Sequence, residues 1–487
     1  MSVIKPSSPE EMNIDIIINE ANKGSKKMLS FGDIAVPVGR NAKKCDGGDY
    51  CRWNKNSSGI VNVPYTLSSN YDYVEVSVIL RAMQDFETLT CVRFIPRSEE
   101  PDYLKITPSS GCWSYIGKIG GAQDLSLQNC IWKGSVQHEL NHALGFHHEQ
   151  CRSDRDNYIE IVTQNIAPDH LGNFAKKDTN NLEIEYDYSS VMHYSMTAFS
   201  KQDGIVTIVP KPNPAVTIGQ RYGLSNLDIS KINRLYQCGT CSTLLPDSTG
   251  TLMSANYPNN YPNNASCVWL IRAPSNKVFI QFSAFDVQAS PNCSSDYLKV
   301  YDGANRSSPV LLDRSCGTGQ LPSFVASSNT MLLELVNDKT IAATGFKASY
   351  TTVKCGSTFT NPSGVISTPS YPSNYPPLMD CTWIITAPAG FVISLNMADF
   401  QIEQQRTCAY DYVLIFNGPK LTSPEIGRYC GSSTIPSIVS SGNSLLLQFH
   451  SDDSVQTKGF IAKYAFGGFD SSNIALLDSV DNLNTHF

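Results

Sequence analysis

The spacing of apolar and polar positions divides the 487-residue chain into stretches of different character. Residues 1–40 are polar apart from one amphipathic run, Met12 to Ile18. From Cys45 to Cys238 the periodicity is mixed. Val74, Val78, Met83 and Phe86 recur near helical spacing and predict a long helix packed on a core. Tyr103-Leu104-Lys105-Ile106-Thr107 alternates as a half-buried strand does. Ser135 to Leu144 reads as a helix, further helix is expected within Asn157 to Phe174, and Pro- and Gly-rich loops follow. The segment is therefore α+β with long loops in its second half. Beyond Cys238 short strand-like runs and turns take over.

The strand-rich part repeats. Cys241, Cys267, Cys293 and Cys316 recur as Cys355, Cys381, Cys408 and Cys430, at offsets of 114, 114, 115 and 114. Asn256-Tyr257-Pro258 matches Ser370-Tyr371-Pro372, Cys267-Val268-Trp269 matches Cys381-Thr382-Trp383, Asp296-Tyr297 matches Asp411-Tyr412, and Gly345-Phe346 matches Gly459-Phe460. Such agreement predicts a duplicated all-β sandwich with two disulfides per copy. The expected organisation is a pro-segment at 1–40, an α+β domain at 41–238, sandwiches at 241–352 and 355–466, and a disordered polar tail at 467–487.

Composition narrows the setting. The net charge of −7 is mild and unpatterned, so nucleic acid and anionic membrane are not expected partners. No apolar run approaches the ~20 residues of a bilayer span. Fifteen cysteines and four Asn-x-Ser sequons, at Asn56, Asn264, Asn292 and Asn305, indicate a secreted, extracellular protein. The first residues carry no apolar signal region, so the true N-terminus is expected to lie outside the given chain. Gly39-Arg40 before Asn41 is a candidate trypsin-like processing site.

The chemistry is concentrated in His138-Glu139-Leu140-Asn141-His142-Ala143-Leu144-Gly145-Phe146-His147-His148, an H-E-x-x-H-x-x-G-x-x-H sequence. His138 and His142 share one helix face and can grip one zinc ion. Gly145 permits the turn that brings round His148 as a third nitrogen ligand. Three protein ligands leave a coordination position open, as catalytic zinc sites do. Glu139 is not a ligand and is placed to take a proton from the attacking water and pass it to the leaving amine. His147 breaks the spacing and is expected to be a non-ligand.

The motif, with Glu149 after it and Ser190-Val191-Met192-His193-Tyr194 downstream, resembles the astacin family of metzincin zinc proteases over about residues 41–238. The resemblance implies that Met192 forms an apolar floor beneath the metal and that Tyr194 stabilises the oxyanion. It implies disulfides Cys91–Cys238 and Cys112–Cys130. The repeats resemble CUB domains, which implies Cys241–Cys267, Cys293–Cys316, Cys355–Cys381 and Cys408–Cys430. An extra pair, Cys45–Cys51, and Arg152-Ser153-Asp154-Arg155-Asp156 resemble the hatching-enzyme branch, of amphibian and avian type. This scheme leaves Cys151 unpaired, as a tolerated free thiol, an intermolecular disulfide or a redox-sensitive group.

Astacin pro-segments carry Phe-x-Gly-Asp, whose aspartate occupies the open zinc position. Gly32-Asp33 fits it with Asp33 as the switch, although Ser30 stands at the family's phenylalanine position and Phe31 one place later. In the family Glu149 meets the new N-terminus after processing. CUB-type calcium binding would use Glu403, Asp411 and Asp452 in the second repeat; the first has Gln288, Asp296 and Asp338, one carboxylate fewer. The implied protein is a secreted zinc endopeptidase acting on egg-envelope glycoproteins, held in secretory granules and docked by its CUB repeats. The rival readings are a protease processing matrix or growth-factor precursors, and a non-catalytic CUB adhesion protein.

Overall fold

A computed structural model describes residues 13–25, 27–36, 51–220, 222–263, 266–338, 342–432 and 434–468. The chain divides into two compact units, 1–243 and 244–487.

In the first unit helix α1 (Ile14–Asn22) takes up most of the amphipathic N-terminal run and buries Ile14, Asp15, Ile17 and Ile18. A mixed sheet follows, ordered Val92–Pro96, Val61–Leu67, Tyr103–Thr107, Ala122–Leu127, Cys112–Trp113. The first four strands pair in parallel and the last is antiparallel. The alternation predicted for Tyr103–Thr107 is present, with Leu104 and Ile106 fully buried. Helix α2 (Tyr73–Leu89) starts at a capping box made by Asp72 and Glu75, which satisfies otherwise orphaned N–H groups. Its buried face is Ile79, Ala82, Met83, Phe86 and Leu89. The expected face started too early: Val74 is exposed and Val78 half-buried. Helix α3 (Lys133–Leu144) is tied to α2 by Gln137, whose amide donates to the Ala82 carbonyl at 3.2 Å and to Asp85 at 2.7 Å.

Asn157 to Phe174 holds no α-helix. It forms a short strand, Ile159–Ile161, and the 3-10 turns Thr163–Asn165 and Pro168–Phe174. Its apolar side chains Ile159, Ile166 and Phe174 pack with Tyr186, Tyr194 and Ile208 into a separate small core. A helix absent from the sequence-based expectation, α4 (Asn226–Leu235), ends the catalytic region. Cys91–Cys238 and Cys112–Cys130 are bonded as expected.

The second unit holds two β-sandwiches. In the first, Ser266–Arg272, Thr330–Val336, Tyr297–Tyr301 and Val310–Ser315 lie side by side in that order, facing a sheet whose strands include Gly250–Met253, Gly345–Val353 and Lys277–Val287. The second repeats this plan, with Asp380–Thr386, Ser444–His450, Tyr412–Phe416 and Glu425–Tyr429 facing Ser363–Ser367, Gly459–Gly468 and Phe391–Gln401. Duplication reaches the register: Trp269 lies opposite Leu333 and packs edge-on against Phe346, while Trp383 lies opposite Leu447 and packs edge-on against Phe460. Cys293–Cys316, Cys355–Cys381 and Cys408–Cys430 are bonded as expected, and Cys241 and Cys267 are each in a disulfide. Cys51 is also disulfide-bonded; its expected partner Cys45 lies outside the described residues. The sandwiches share a small core of Phe279, Val325, Val353, Ile384, Leu414, Phe416 and Leu446.

Candidate metal centre and active site

Every residue of α3 from Gly134 to Leu144 is buried, so its histidines sit inside the protein. His138 and His142, one turn apart, meet edge to face at 4.7 Å between ring centroids. Gly145 ends the helix at φ +109°, the left-handed region that glycine enters freely, and its N–H closes onto the His142 carbonyl at 2.9 Å. The chain then returns, bringing His148 to 5.1 Å from His138 and 4.8 Å from His142. His147 is half-buried and outside this cluster.

The three rings are aimed at one point. His138 Nδ1 pairs with the Val191 carbonyl at 2.9 Å and His142 Nδ1 with the Phe146 carbonyl at 2.7 Å. A proton on each Nδ1 leaves the Nε2 lone pair free for a metal. Asp33 enters from the N-terminal segment, its carboxylate 3.0 Å from His138 Nε2, 3.2 Å from His148 Nε2 and 3.5 Å from His142 Nε2. Burial alone would raise its pKa, but His148, His142 and His138 hold it well below the usual carboxylate range. Burial drives the His148 pKa down to about 3, so its ring is a neutral ligand-type imidazole. Two imidazole nitrogens 3.2 Å apart, on His138 and His148, suit a shared cation better than each other. His142 Nε2 and Asp33 Oδ1 are buried without a hydrogen-bond partner. Three nitrogens, one carboxylate and unpaired buried atoms are the donor set a zinc ion requires.

Glu139 lies beside this centre, fully buried, with Oε2 unpaired. Burial, and after it the Asp33 charge, push its pKa well up. Tyr194 packs on His148 at 4.6 Å, and its hydroxyl donates to the Phe31 carbonyl. Met192 is buried in the turn between them, its N–H on Ser190 Oγ at 3.0 Å.

The N-terminal segment is built into the cleft. Asn22, at the end of α1, donates to the Gly32 carbonyl at 3.0 Å and to the Cys112 carbonyl at 2.7 Å, and accepts from the Cys112 N–H. Ala35 N–H donates to the Ser114 carbonyl at 2.8 Å, and Ser114 N–H to the Asp33 carbonyl at 3.1 Å. A β-carbon on Gly32 would come 2.9 Å from the Phe199 ring, so this close approach needs glycine. Asp15 is buried with Oδ2 accepting from Ser195 Oγ at 2.7 Å and Oδ1 unpaired; burial raises its pKa to about 6.

Sequence reasoning missed the support of the Met192 turn. Asp228 of α4 accepts from Ser190 Oγ at 2.6 Å and the Val191 N–H at 2.9 Å. It also completes the capping box with Ser225, so Ser225-x-x-Asp228 was the available signal. Glu149 has both oxygens engaged, by Lys231 at 2.7 Å on one and by the Asp187 N–H at 2.8 Å and Arg152 at 3.2 Å on the other. Asn41, whose new amino group would meet it, lies outside the described residues.

Cys151 is free and buried, and burial pushes its thiol up to about 12, which makes it a poor nucleophile in this state. In the second repeat Glu403, Asp411 and Asp452 bring carboxylate oxygens together, and burial followed by the charges of Asp411 and Asp452 raises the Glu403 pKa. In the first repeat Asp296 accepts from the Asp338 N–H at 2.8 Å and the Gln288 amide oxygen is buried without a partner. Asn56 and Asn292 are exposed, Asn305 is half-buried, and Asn264 lies outside the described residues.

Comparison with known proteins agrees with the chemistry of this centre. Residues 50–237 match Astacin (Peptidase family M12A), and residues 238–350 and 355–464 each match the CUB domain. Embryonic protein UVS.2 of Xenopus laevis is 51% identical over 460 residues, covering 94% of this chain and 88% of its own length. Astacin-like metalloendopeptidase of Gallus gallus is 47% identical over 72% of this chain and 86% of its own. Among solved structures, high choriolytic enzyme 1, a hatching enzyme zinc-protease from Oryzias latipes, is 50% identical over 41% of this chain and all of its own, with a TM-score of 0.39. The chain belongs to the astacin family of zinc metalloendopeptidases, a metzincin protease domain followed by CUB domains.

Proposed function

We propose that His138, His142 and His148 hold the catalytic zinc and that Asp33 keeps the enzyme latent by occupying its fourth position. The observation that carries this is the convergence of one Asp33 carboxylate on three inward-facing imidazoles. Zinc supplies Lewis-acid polarisation and lowers the pKa of water toward ~7. Burial is the main cause of the raised Glu139 pKa and the Asp33 charge the second; removal of residues 1–40 takes away the second, which favours Glu139 as the base that deprotonates the attacking water. Tyr194, released from the Phe31 carbonyl, donates its hydroxyl to the oxygen that gains negative charge. Glu139 then delivers the proton to the departing amine. Met192, held by Ser190 and Asp228, fixes the floor of the site.

The protein is secreted in this reading, stored in granules, and glycosylated at Asn56, Asn264, Asn292 and Asn305. Its substrates are egg-envelope glycoproteins, with the CUB repeats docking it on that matrix and Glu403, Asp411 and Asp452 holding calcium. Similarity along 94% of the chain to an embryonic protein supports this over precursor processing. Tolloid-like protein 1 of Homo sapiens matches 82% of the chain but is covered over only 40% of its own length.

The test pairs isolated egg envelope with casein, using processed enzyme with and without a zinc chelator, and a Glu139→Gln variant. Chelator-sensitive envelope solubilisation is expected. The variant should keep its zinc and lose turnover by about 10²–10⁴-fold. Casein cleavage with an intact envelope refutes the substrate; full activity of the variant refutes the mechanism.

A further inference from the structure

We infer that the slot filled by Phe31 is a side-chain subsite of the processed protease, receiving an aromatic substrate residue beside the bond to be cut. This rests on reading residues 1–40 as a removable pro-segment. Phe31 sits at φ +55°, a left-handed conformation that costs energy for a residue with a β-carbon. Its surroundings must hold it there. The ring is buried against Cys151 and Ile34, with Ile116 at the edge of the cluster. Lys177 Nζ lies 4.4 Å from the ring centroid. Lys177 is itself anchored, its N–H donating to the Cys151 carbonyl at 2.7 Å. Ile34 leaves with the segment, whereas Cys151, Ile116 and Lys177 belong to the protease body and stay.

Position ties the slot to the reaction. Cys151 is three residues beyond His148. The Phe31 carbonyl accepts from Tyr194, the hydroxyl assigned above to the scissile oxygen, and two residues further on Asp33 reaches the three imidazoles. Phe31 therefore stands where a residue flanking the cut bond would stand. The slot's chemistry favours a ring over an aliphatic chain. An ammonium over a π face adds attraction that a leucine cannot collect, while the buried Cys151 side chain supplies a polarisable wall. Ser30, at the position of the family's phenylalanine, is half-buried, and the aromatic ring falls one residue later at Phe31.

The test uses the zinc-loaded full chain after processing, digesting a mixed-sequence peptide library, with cleavage positions read by mass spectrometry. Phe, Tyr and Trp should be enriched at one flanking position. Lys177→Met should lower the kcat/KM ratio of an aromatic over an alanine peptide by about three- to tenfold, as loss of a partly exposed cation–π contact implies. As an independent readout, a peptide of residues 13–36 should inhibit the enzyme, and Phe31→Ala should weaken it by about 10–100-fold. Chelator-sensitive cleavage without aromatic enrichment, or enrichment that Lys177→Met leaves untouched, overturns the slot and spares the protease. No chelator-sensitive cleavage at all overturns both.

Discussion

Asp15 should make latency depend on pH, and the substitution Asp15→Asn isolates the effect. Docking of α1 buries this carboxylate to 5% exposure, with one oxygen on Ser195 and the other unpaired. Its pKa rises from 3.8 to about 6, burial being the largest cause and the Ser195 hydrogen bond opposing it. Because the docked value lies above the free one, the docked state binds the proton more tightly. The cost of docking is absent below about pH 4, grows as pH rises through about 6, and is full above it. A rise of this size corresponds to roughly 3 kcal/mol, or about 100-fold in affinity. Asparagine keeps an oxygen for Ser195 and carries no charge. A peptide of residues 13–36 with Asn at position 15 should therefore inhibit the processed enzyme about 100-fold more tightly than the native peptide at about pH 8, and only about tenfold more tightly at about pH 5. Asp33 and the enzyme are the same in both complexes, so the ratio between the two peptides reports Asp15. A ratio that stays constant across this range, or one that falls as pH rises, would refute the reasoning.

Asp33→Ala should leave the segment docked through Asn22 and Ser114 but open the metal position, giving turnover before processing; strict latency in an activity assay of the unprocessed chain would contradict it. Glu403→Gln should abolish any calcium-induced rise in the Tm of the CUB unit, while Gln288→Glu, which restores a third carboxylate to the first repeat, should add one; differential scanning calorimetry on the full chain with and without calcium reads both. Lys231→Met should destabilise the catalytic region by about 1–3 kcal/mol in chemical denaturation, since it removes the 2.7 Å partner of one Glu149 oxygen while Arg152 and the Asp187 N–H still hold the other, and Glu149→Gln in the same chain should recover part of the loss.

What the sequence revealed depended on the distance over which its information acts. The α3 histidines and Gly145 were legible because helix geometry and one left-handed residue fix them within eleven positions. The repeats were legible because duplication supplies its own comparison. Asn157–Phe174 misled because its apolar residues serve a local core through 3-10 turns and a short strand, which blur the helical period. Helix α4 is short, and only its capping box marked it.

The groups that tune the site are the hardest to read, since each acts across a long chain separation and satisfies no period. Asp15 meets Ser195, Asp33 meets His138, and Glu149 meets Lys231, at separations of 180, 105 and 82 residues. Asp33 could be anticipated because a carboxylate beside a glycine has a family precedent. Asp15 could not, because a lone acidic residue in an amphipathic helix ordinarily faces water. On the proposed reading of residues 1–40 as a removable pro-segment, a carboxylate desolvated at the docked interface loosens that segment as pH rises through about 6, so the group that costs docking energy also favours release.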